Sequence, residues 1–308
     1  METNKRAHDS NLITRQYFDS LLLEMRHFDA VIPDTHLTLF GETFKTPVMM
    51  AALSHLNKCH PDGLEEMAKG ALAAGAVMWS GMGEDEELAR VCQTGAKTIK
   101  IIKPHVSNEE ILREVAFAEA QGCIAVGIDI DHAYNHKGEY DNIFGSCPLA
   151  GKTTEELASF VRATKLPFII KGVLSVQDAK KCLEVGAGGI VVSHHHGIMD
   201  YAIPPLMALP KIVEVIQGQI PIFVDCGVES GMDVYKALAL GATAVSVGRA
   251  MMKPLADNGA AGVTAKVEEI TASLAGTMAR TAVSTLENID PSVVWLPTTY
   301  QPYKGKKY

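Results

Sequence analysis

The sequence predicts a parallel α/β barrel of eight βα units, a TIM (β/α)8 barrel, and three observations carry that prediction. Eight short runs of apolar or β-branched residues recur along the chain. Segments of helical periodicity separate them, and glycine or proline stands beside most of the strand starts. Such alternation reads as parallel strands joined by crossover helices rather than as separate α and β regions.

In chain order the predicted strands are residues 47–52 (PVMMAA), 76–80 (AVMWS), 98–102 (TIKII), 124–130 (IAVGIDI), 167–171 (PFIIK), 189–193 (GIVVS), 221–225 (PIFVD) and 243–247 (TAVSV). Between them, Leu64, Met67, Ala68 and Ala71 share one helix face, and Val263, Val267, Ile270, Leu274 and Met278 share another. At Ala74-Gly75, Gln121-Gly122, Gly186-Ala187-Gly188 and Gly241-Ala242 a helix is expected to end in a left-handed turn that feeds the next strand. Strand starts lie 22 to 32 residues apart, except for 43 between the fourth and fifth. That gap leaves a long βα loop over residues 132–153, expected to be a lid or a substrate wall. Residues 1–46 precede the first strand and are expected to flank or cap the barrel bottom. Nothing reads as a linker, so residues 1–308 are expected to form a single domain.

Composition narrows the function. The chain has 308 residues, 47% of them hydrophobic, and no continuous apolar stretch near the roughly 20 residues that a bilayer crossing needs. Its 28 basic and 36 acidic residues give a net charge of −8, with no like-charge run apart from Lys304, Lys306 and Lys307, which argues against nucleic acid as a partner. Six cysteines (Cys59, Cys92, Cys123, Cys147, Cys182 and Cys226) lack CxxC spacing, and the first residues, METNKRAHDS, are polar. The expectation is a reduced, cytoplasmic enzyme.

In barrels of this kind, polar residues at the C-terminal strand ends point into the active-site mouth. Here those ends supply Ser54, Ser80, Lys100, Asp129, Asp131, Lys171, Ser193, His194, His195, His196, Asp225, Gly248 and Arg249. A lysine ending the apolar strand PFIIK needs an anionic ligand or a carboxylate opposite it, because an unpaired buried ammonium costs several kcal/mol; a structural ion pair is the alternative. Asp131 and His195 fit a carboxylate that orients an imidazole base. His194 and His196 also satisfy an HxH metal-ligand spacing, although the other strand ends supply lysines where further ligands would be expected. Glycine turns around Gly227, Gly231 and Gly248 lie where such barrels hold a phosphate on backbone N–H groups, which implies a phosphorylated cofactor.

The runs Lys171-Gly-Val-Leu-Ser, Ser193-His-His-His-Gly, Asp225-Cys-Gly-Val-Glu-Ser-Gly-Met-Asp-Val-Tyr-Lys-Ala-Leu-Ala-Leu-Gly-Ala and Gly248-Arg249, with PDTHLTLFGETFKTPVMMAALSHLNKCHPDG earlier in the chain, resemble the FMN-dependent α-hydroxy acid dehydrogenase and oxidase family, which includes the glycolate and lactate oxidases. The resemblance extends over roughly residues 14–285. It implies FMN as cofactor, a small-molecule hydroxy acid-like substrate, a homo-oligomer, and an electron acceptor that is oxygen, a quinone or a separate carrier. It makes His195 the base for the substrate hydroxyl, with Asp131 supporting its imidazolium and Lys171 beside the flavin N1–O2 edge. It places Ala51, Ala52 and Ser80 along the isoalloxazine, Lys100, Asp129, Ser193 and Asp225 among the cofactor contacts, and Gly227, Gly248 and Arg249 at the phosphate.

The chain departs from the family pattern in its substrate shell. The family arginine that grips the substrate carboxylate falls at Ile198, the strand-three tyrosine at Ile102, the glutamine before it at Lys100 and the strand-four threonine at Asp129. An insertion after strand three leaves the Lys100 alignment open to a shift of one residue. His194 and His196 flank the base in place of asparagine and glycine, so His194, Ile198, Ile102 and Lys137 are the candidate substrate contacts. Lys100, Lys103, His136 or Lys137 would have to replace the lost carboxylate clamp. Glu229 stands where the family has an arginine near the flavin phosphate, which predicts weaker FMN binding. Two other readings are a redox-neutral FMN-dependent isomerase or epimerase and a metal-dependent barrel enzyme built on His194 and His196.

Overall fold

All eight predicted runs form strands. In the computed structural model, which describes residues 8–143 and 147–296, they are β1 Val48–Met50, β2 Met78–Ser80, β3 Thr98–Ile102, β4 Ala125–Asp129, β5 Phe168–Val173, β6 Gly189–Val192, β7 Ile222–Val224 and β8 Ala244–Val247. Their spatial order is β1-β8-β7-β6-β5-β4-β3-β2, every pair parallel. The seam between the two ends is drawn together by Met50 N–H to Val77 O at 3.0 Å and Gly81 N–H to Leu53 O at 3.1 Å. The predicted barrel is therefore present. The lysine cluster at Lys304, Lys306 and Lys307 lies outside the described residues.

The helices are α1 Ser10–Ser20, α2 Gly63–Ala74, α3 Asp85–Gln93, α4 Asn108–Ala120, α5 Thr154–Arg162, α6 Val176–Glu184, α7 Pro205–Ile216, α8 Gly231–Ala239 and α9 Arg249–Arg280. No described helix is long and apolar enough to cross a membrane. The strands are buried on both faces, as parallel strands covered by helices must be. One face, with Met49, Trp79, Ile99, Ile101, Ile169 and Phe223, fills the barrel interior. The other, with Met50, Met78, Ile102, Ile128, Ile170 and Val224, packs under the helices.

The segment before β1 does two things rather than one. A hairpin pairing Leu37–Leu39 with Glu42–Phe44 buries Leu37, Leu39 and Phe44 against the interior cluster and plugs the bottom of the barrel. Helix α1 instead lies at the opposite end, its Asn11, Thr14, Arg15 and Phe18 turned toward the loops after β6 and β7. Those four residues share one face of the helix.

The loop after β4 is an anchored wall. Its Tyr134 and Tyr140 bridge one another, and Asn142–Ile143 pairs with Cys147–Pro148. Val106 N–H donates to Pro148 O at 3.0 Å and Ala150 N–H to Pro104 O at 2.8 Å, tying the loop to the β3–α4 connection.

At the start of α8 the chain tolerates no side chain. A Cβ on Gly231 would sit 2.2 Å from Leu274 N and 2.4 Å from Ile270 O, both backbone atoms of α9. Gly231→Ala is expected to lose about 1–3 kcal/mol or more, since backbone cannot yield as a side-chain tip can. Urea unfolding checks this; an unchanged midpoint would mean that the two helices separate freely.

Candidate active site

Two buried lysines and three aspartates gather at the C-terminal end of the barrel. Lys171 Nζ, at the end of β5, lies 3.1 Å from Asp129 Oδ1 and 3.7 Å from Asp225 Oδ2. Lys103 Nζ, one residue past β3, lies 2.6 Å from Asp129 Oδ2. Burial disfavours both the Asp129 carboxylate and the Lys171 ammonium, but their mutual attraction outweighs it: Lys171 and Lys103 hold Asp129 well below the carboxylate range, and Asp129, Asp225 and Asp131 hold Lys171 above the ordinary lysine value. The anionic partner that the Lys171 pattern demanded is thus carboxylate from two strand ends, Asp129 of β4 and Asp225 after β7.

A depressed carboxylate pKa in the folded state contributes stability that is present above the unfolded value and lost as pH falls through and below it. Acidification below about pH 4 is therefore expected to destabilise the fold through Asp129, whose ordinary value is 3.8. Urea midpoints at pH 7, 5 and 3.5 check this: Asp129→Asn should lower the midpoint at pH 7 and flatten its fall below pH 4.

His195 carries the reactive geometry. Its Nδ1 lies 2.8 Å from Asp131 Oδ1, and Lys171 Nζ stands 3.5 Å from the same nitrogen. Asp131 therefore fixes the ring with Nε2 left for a ligand; no described residue hydrogen-bonds to that nitrogen. The backbone that presents the ring is strained, with φ of 48° at His195 and 60° at His196, followed by Gly197 at 78°. Non-glycine residues in the left-handed region cluster at functional sites. Ser193, behind this turn, steadies it by accepting the His195 N–H on Oγ at 3.0 Å.

Of the flanking histidines, His194 is buried away from the mouth, whereas His196 lines the cleft. Gly197 N–H donates to His194 Nδ1 at 2.8 Å, so the proton sits on Nε2, which donates to Thr14 Oγ1 at 2.8 Å. His194 is buried, burial pushes its pKa down, and it is a structural tie to α1 rather than a substrate contact. His196 Nδ1 meets Asn11 Oδ1 at 2.7 Å. With both nitrogens of His194 engaged, the HxH pair cannot serve the metal reading. The groups close enough to share an ion among the described residues are Asp129, Asp131 and His195, and the Lys171 ammonium already lies among them.

The third strand corrects two further expectations. Lys100 and Ile102 lie on the helix-facing side of β3: Ile102 belongs to the outer core, and Lys100 Nζ donates to Gly81 O at 2.6 Å. Burial pushes the Lys100 ammonium below the ordinary lysine range, with Glu114 and Glu87 on α4 and α3 among the charges opposing it. The interior series is Ile99, Ile101 and then Lys103, so Lys103 takes the mouth position expected of Ile102. Ile198 stands exposed on the turn after β6. Lys137 and His136 are exposed near the tip of the long loop. Ser80 is buried at the β1–β2 seam, bridged to Leu53.

Sequence reasoning also missed His132, whose ring meets that of His195 edge-on at 4.8 Å, and the α1 residues Asn11 and Arg15. Arg15 Nη1 donates to Gly227 O at 3.0 Å and its other Nη to Asp233 at 2.8 Å. Asn11 Oδ1 also accepts from Arg249 Nη2 at 3.2 Å. The 11, 14, 15, 18 spacing of α1 was the available signal.

A cleft of about 730 Å³ runs from Lys171 and His195 to Arg249, past Ala51, Ala52, Asp225, Gly227, Glu229 and Gly248. The N-termini of α8 and α9 approach its outer end, where Gly227 (φ 87°) and Gly248 line the wall and Arg249 adds a positive charge. The inner end has a buried ammonium. Cations at both ends and a phosphate cradle at β7 and β8 define a barrel that holds a phosphorylated cofactor beside an imidazole–carboxylate pair.

The model of the FMN-dependent dehydrogenase family matches residues 3–150 and 144–296. Glycolate oxidase 1 of Zea mays is 31% identical over 312 residues, covering 89% of this chain and 84% of that protein. Glycolate oxidase of Spinacia oleracea is 29% identical, covering 93% and 86%, and an L-lactate oxidase of Roseobacter sp. is 29% identical, covering 84% and 79%. Among solved structures, a mandelate oxidase mutant with a C4a-OH-FMN adduct superposes with a TM-score of 0.87 at 26% identity, covering 96% of this chain and 93% of that one. The chain belongs to the family of FMN-dependent dehydrogenases, and FMN is its cofactor.

Proposed function

We propose that this protein oxidises the hydroxyl-bearing carbon of a 2-hydroxy acid, with His195 as the base. The observation that carries the reading is the 2.8 Å contact between His195 Nδ1 and Asp131, which leaves Nε2 for a ligand at the cleft that His195 and Lys171 line. FMN, when bound in the cleft, supplies the acceptor for the hydride that leaves the substrate carbon. A substrate hydroxyl donates to Nε2, and the imidazole takes its proton as the carbon–hydrogen bond breaks. Asp131 stabilises the imidazolium so formed. Gly227, Gly248 and Arg249 hold the phosphate, Ala51 and Ala52 line the ring system, and Lys171 presents its ammonium at the inner end.

What supports a hydroxy acid is the activity for which the relatives are named, glycolate oxidase and L-lactate oxidase. A reducing cytoplasmic setting is supported by six cysteines that remain free thiols. Association of copies into an oligomer is supported by Phe28, Ile32 and Trp295, large apolar side chains left exposed.

The test is to mix the FMN-loaded protein, without oxygen, with glycolate, lactate, mandelate and larger hydroxy acids while following the flavin band. Bleaching by at least one of them is expected. A flavin that none of them bleaches would overturn the reading.

A further inference from the structure

We infer that Lys103 is the residue that binds the acid group of the substrate, taking over from an arginine clamp at Ile198. The inference rests on the reading of His195 as the base. Its grounds are geometric. The Lys103 side chain is 9% exposed and held on two sides, by Asp129 Oδ2 at 2.6 Å and by His132 Nδ1 at 3.1 Å. An ammonium has three donors, and the third has no partner among the described residues.

The Lys103 ammonium stands close to the chemistry. Asp129, which grips Lys103 through one oxygen, lies 3.7 Å from His195 Nδ1 through the other, and His132 packs against the His195 ring at 4.8 Å. Lys103 also forms part of the wall of an open cleft of about 1110 Å³ between the β2–α3 and β3–α4 loops, closed on one side by Ile143 and Cys147 of the long loop. Lys171, the neighbouring buried cation, is already shared by Asp129 and Asp225. Asp129 and His132 act as positioning residues: the carboxylate fixes the ammonium, and the imidazole accepts one of its protons while its other nitrogen faces Asp141 at 3.4 Å. A buried ion pair adds little net stability against an apolar pair of the same volume, so its presence at the mouth is better accounted for by a ligand.

The test uses the FMN-loaded protein and reads binding rather than turnover. Pyruvate and benzoylformate, and the uncharged amides of both, are titrated against the flavin absorption spectrum. Wild-type protein should bind the acids more tightly than the amides. Lys103→Met should weaken the acids by about 10- to 100-fold, the range of a charge-assisted hydrogen bond, and leave the amides unchanged. Lys103→Arg should restore much of the loss.

Should Lys103→Met fail to hold FMN, the double variant Lys103→Met with Asp129→Asn removes both charges of the pair and carries the comparison. An acid-over-amide preference that survives in these variants overturns the inference, as does wild-type protein that binds no acid or binds acid and amide alike. If hydroxy acids leave the flavin coloured while 2-oxo acids bind in a Lys103-dependent way, the base assignment fails and this one stands.

Discussion

His195→Ala is expected to slow anaerobic flavin reduction by about 10²- to 10⁴-fold, the usual contribution of a positioned general base. Among the described residues, the ring has a nitrogen without a partner while its other nitrogen is fixed by Asp131 at 2.8 Å. FMN content should stay near that of the wild type, because the phosphate cradle at Gly227, Gly248 and Arg249 is built from other strands. Stopped-flow absorbance, with a visible spectrum of the resting variant, separates the two effects. A variant that reduces its flavin at the wild-type rate would remove His195 from the mechanism. Asp131→Asn should fall between the two, since it leaves the base in place and weakens the support of its charged form.

Lys171→Met is expected to be the most damaging single change to the fold. It would leave Asp225 without its cation and Asp129 with Lys103 alone, all three being buried. Removing one partner of a buried ion pair typically loses about 3–5 kcal/mol, because the orphaned charge stays behind. The urea midpoint of the variant should drop accordingly. Flavin reduction should also slow, because the ammonium at the inner end of the cleft is gone. Restoration of the midpoint by adding Asp225→Asn would locate the loss in the orphaned charge. A variant as stable as the wild type would show that solvent reaches these carboxylates.

Most of the barrel was legible because each parallel strand is a short apolar run bounded by glycine or proline, and helix-facing residues repeat at helical spacing. The strand ends were legible too: Asp131, Lys171, His195 and Asp225 converge as their positions implied. Failure came at β3, where every residue is buried. A strand apolar on both faces carries no alternation from which to read its inward side, so TIKII could not say whether Lys100 or Lys103 enters the mouth. The barrel decides it: Ile99 and Ile101 fill the interior, and the next inward position is Lys103.

The histidine run was opaque for a different reason. Residues 195–197 all adopt positive φ, which sends the His195 and His196 side chains in directions that no strand or helix period describes. The segment that holds α1 was expected at the barrel bottom because its place before the first strand says nothing of which end of the barrel it reaches.

The central claim is that a carbon–hydrogen bond of the substrate is broken with its electrons passing to FMN, and one measurement addresses it directly. In a single oxygen-free turnover, the flavin reduced and the 2-oxo acid formed are counted together. The account predicts one 2-oxo acid for each flavin bleached, with both absent in His195→Ala on the same timescale. A substrate that rearranges, or takes up solvent deuterium, while the flavin keeps its colour would contradict it.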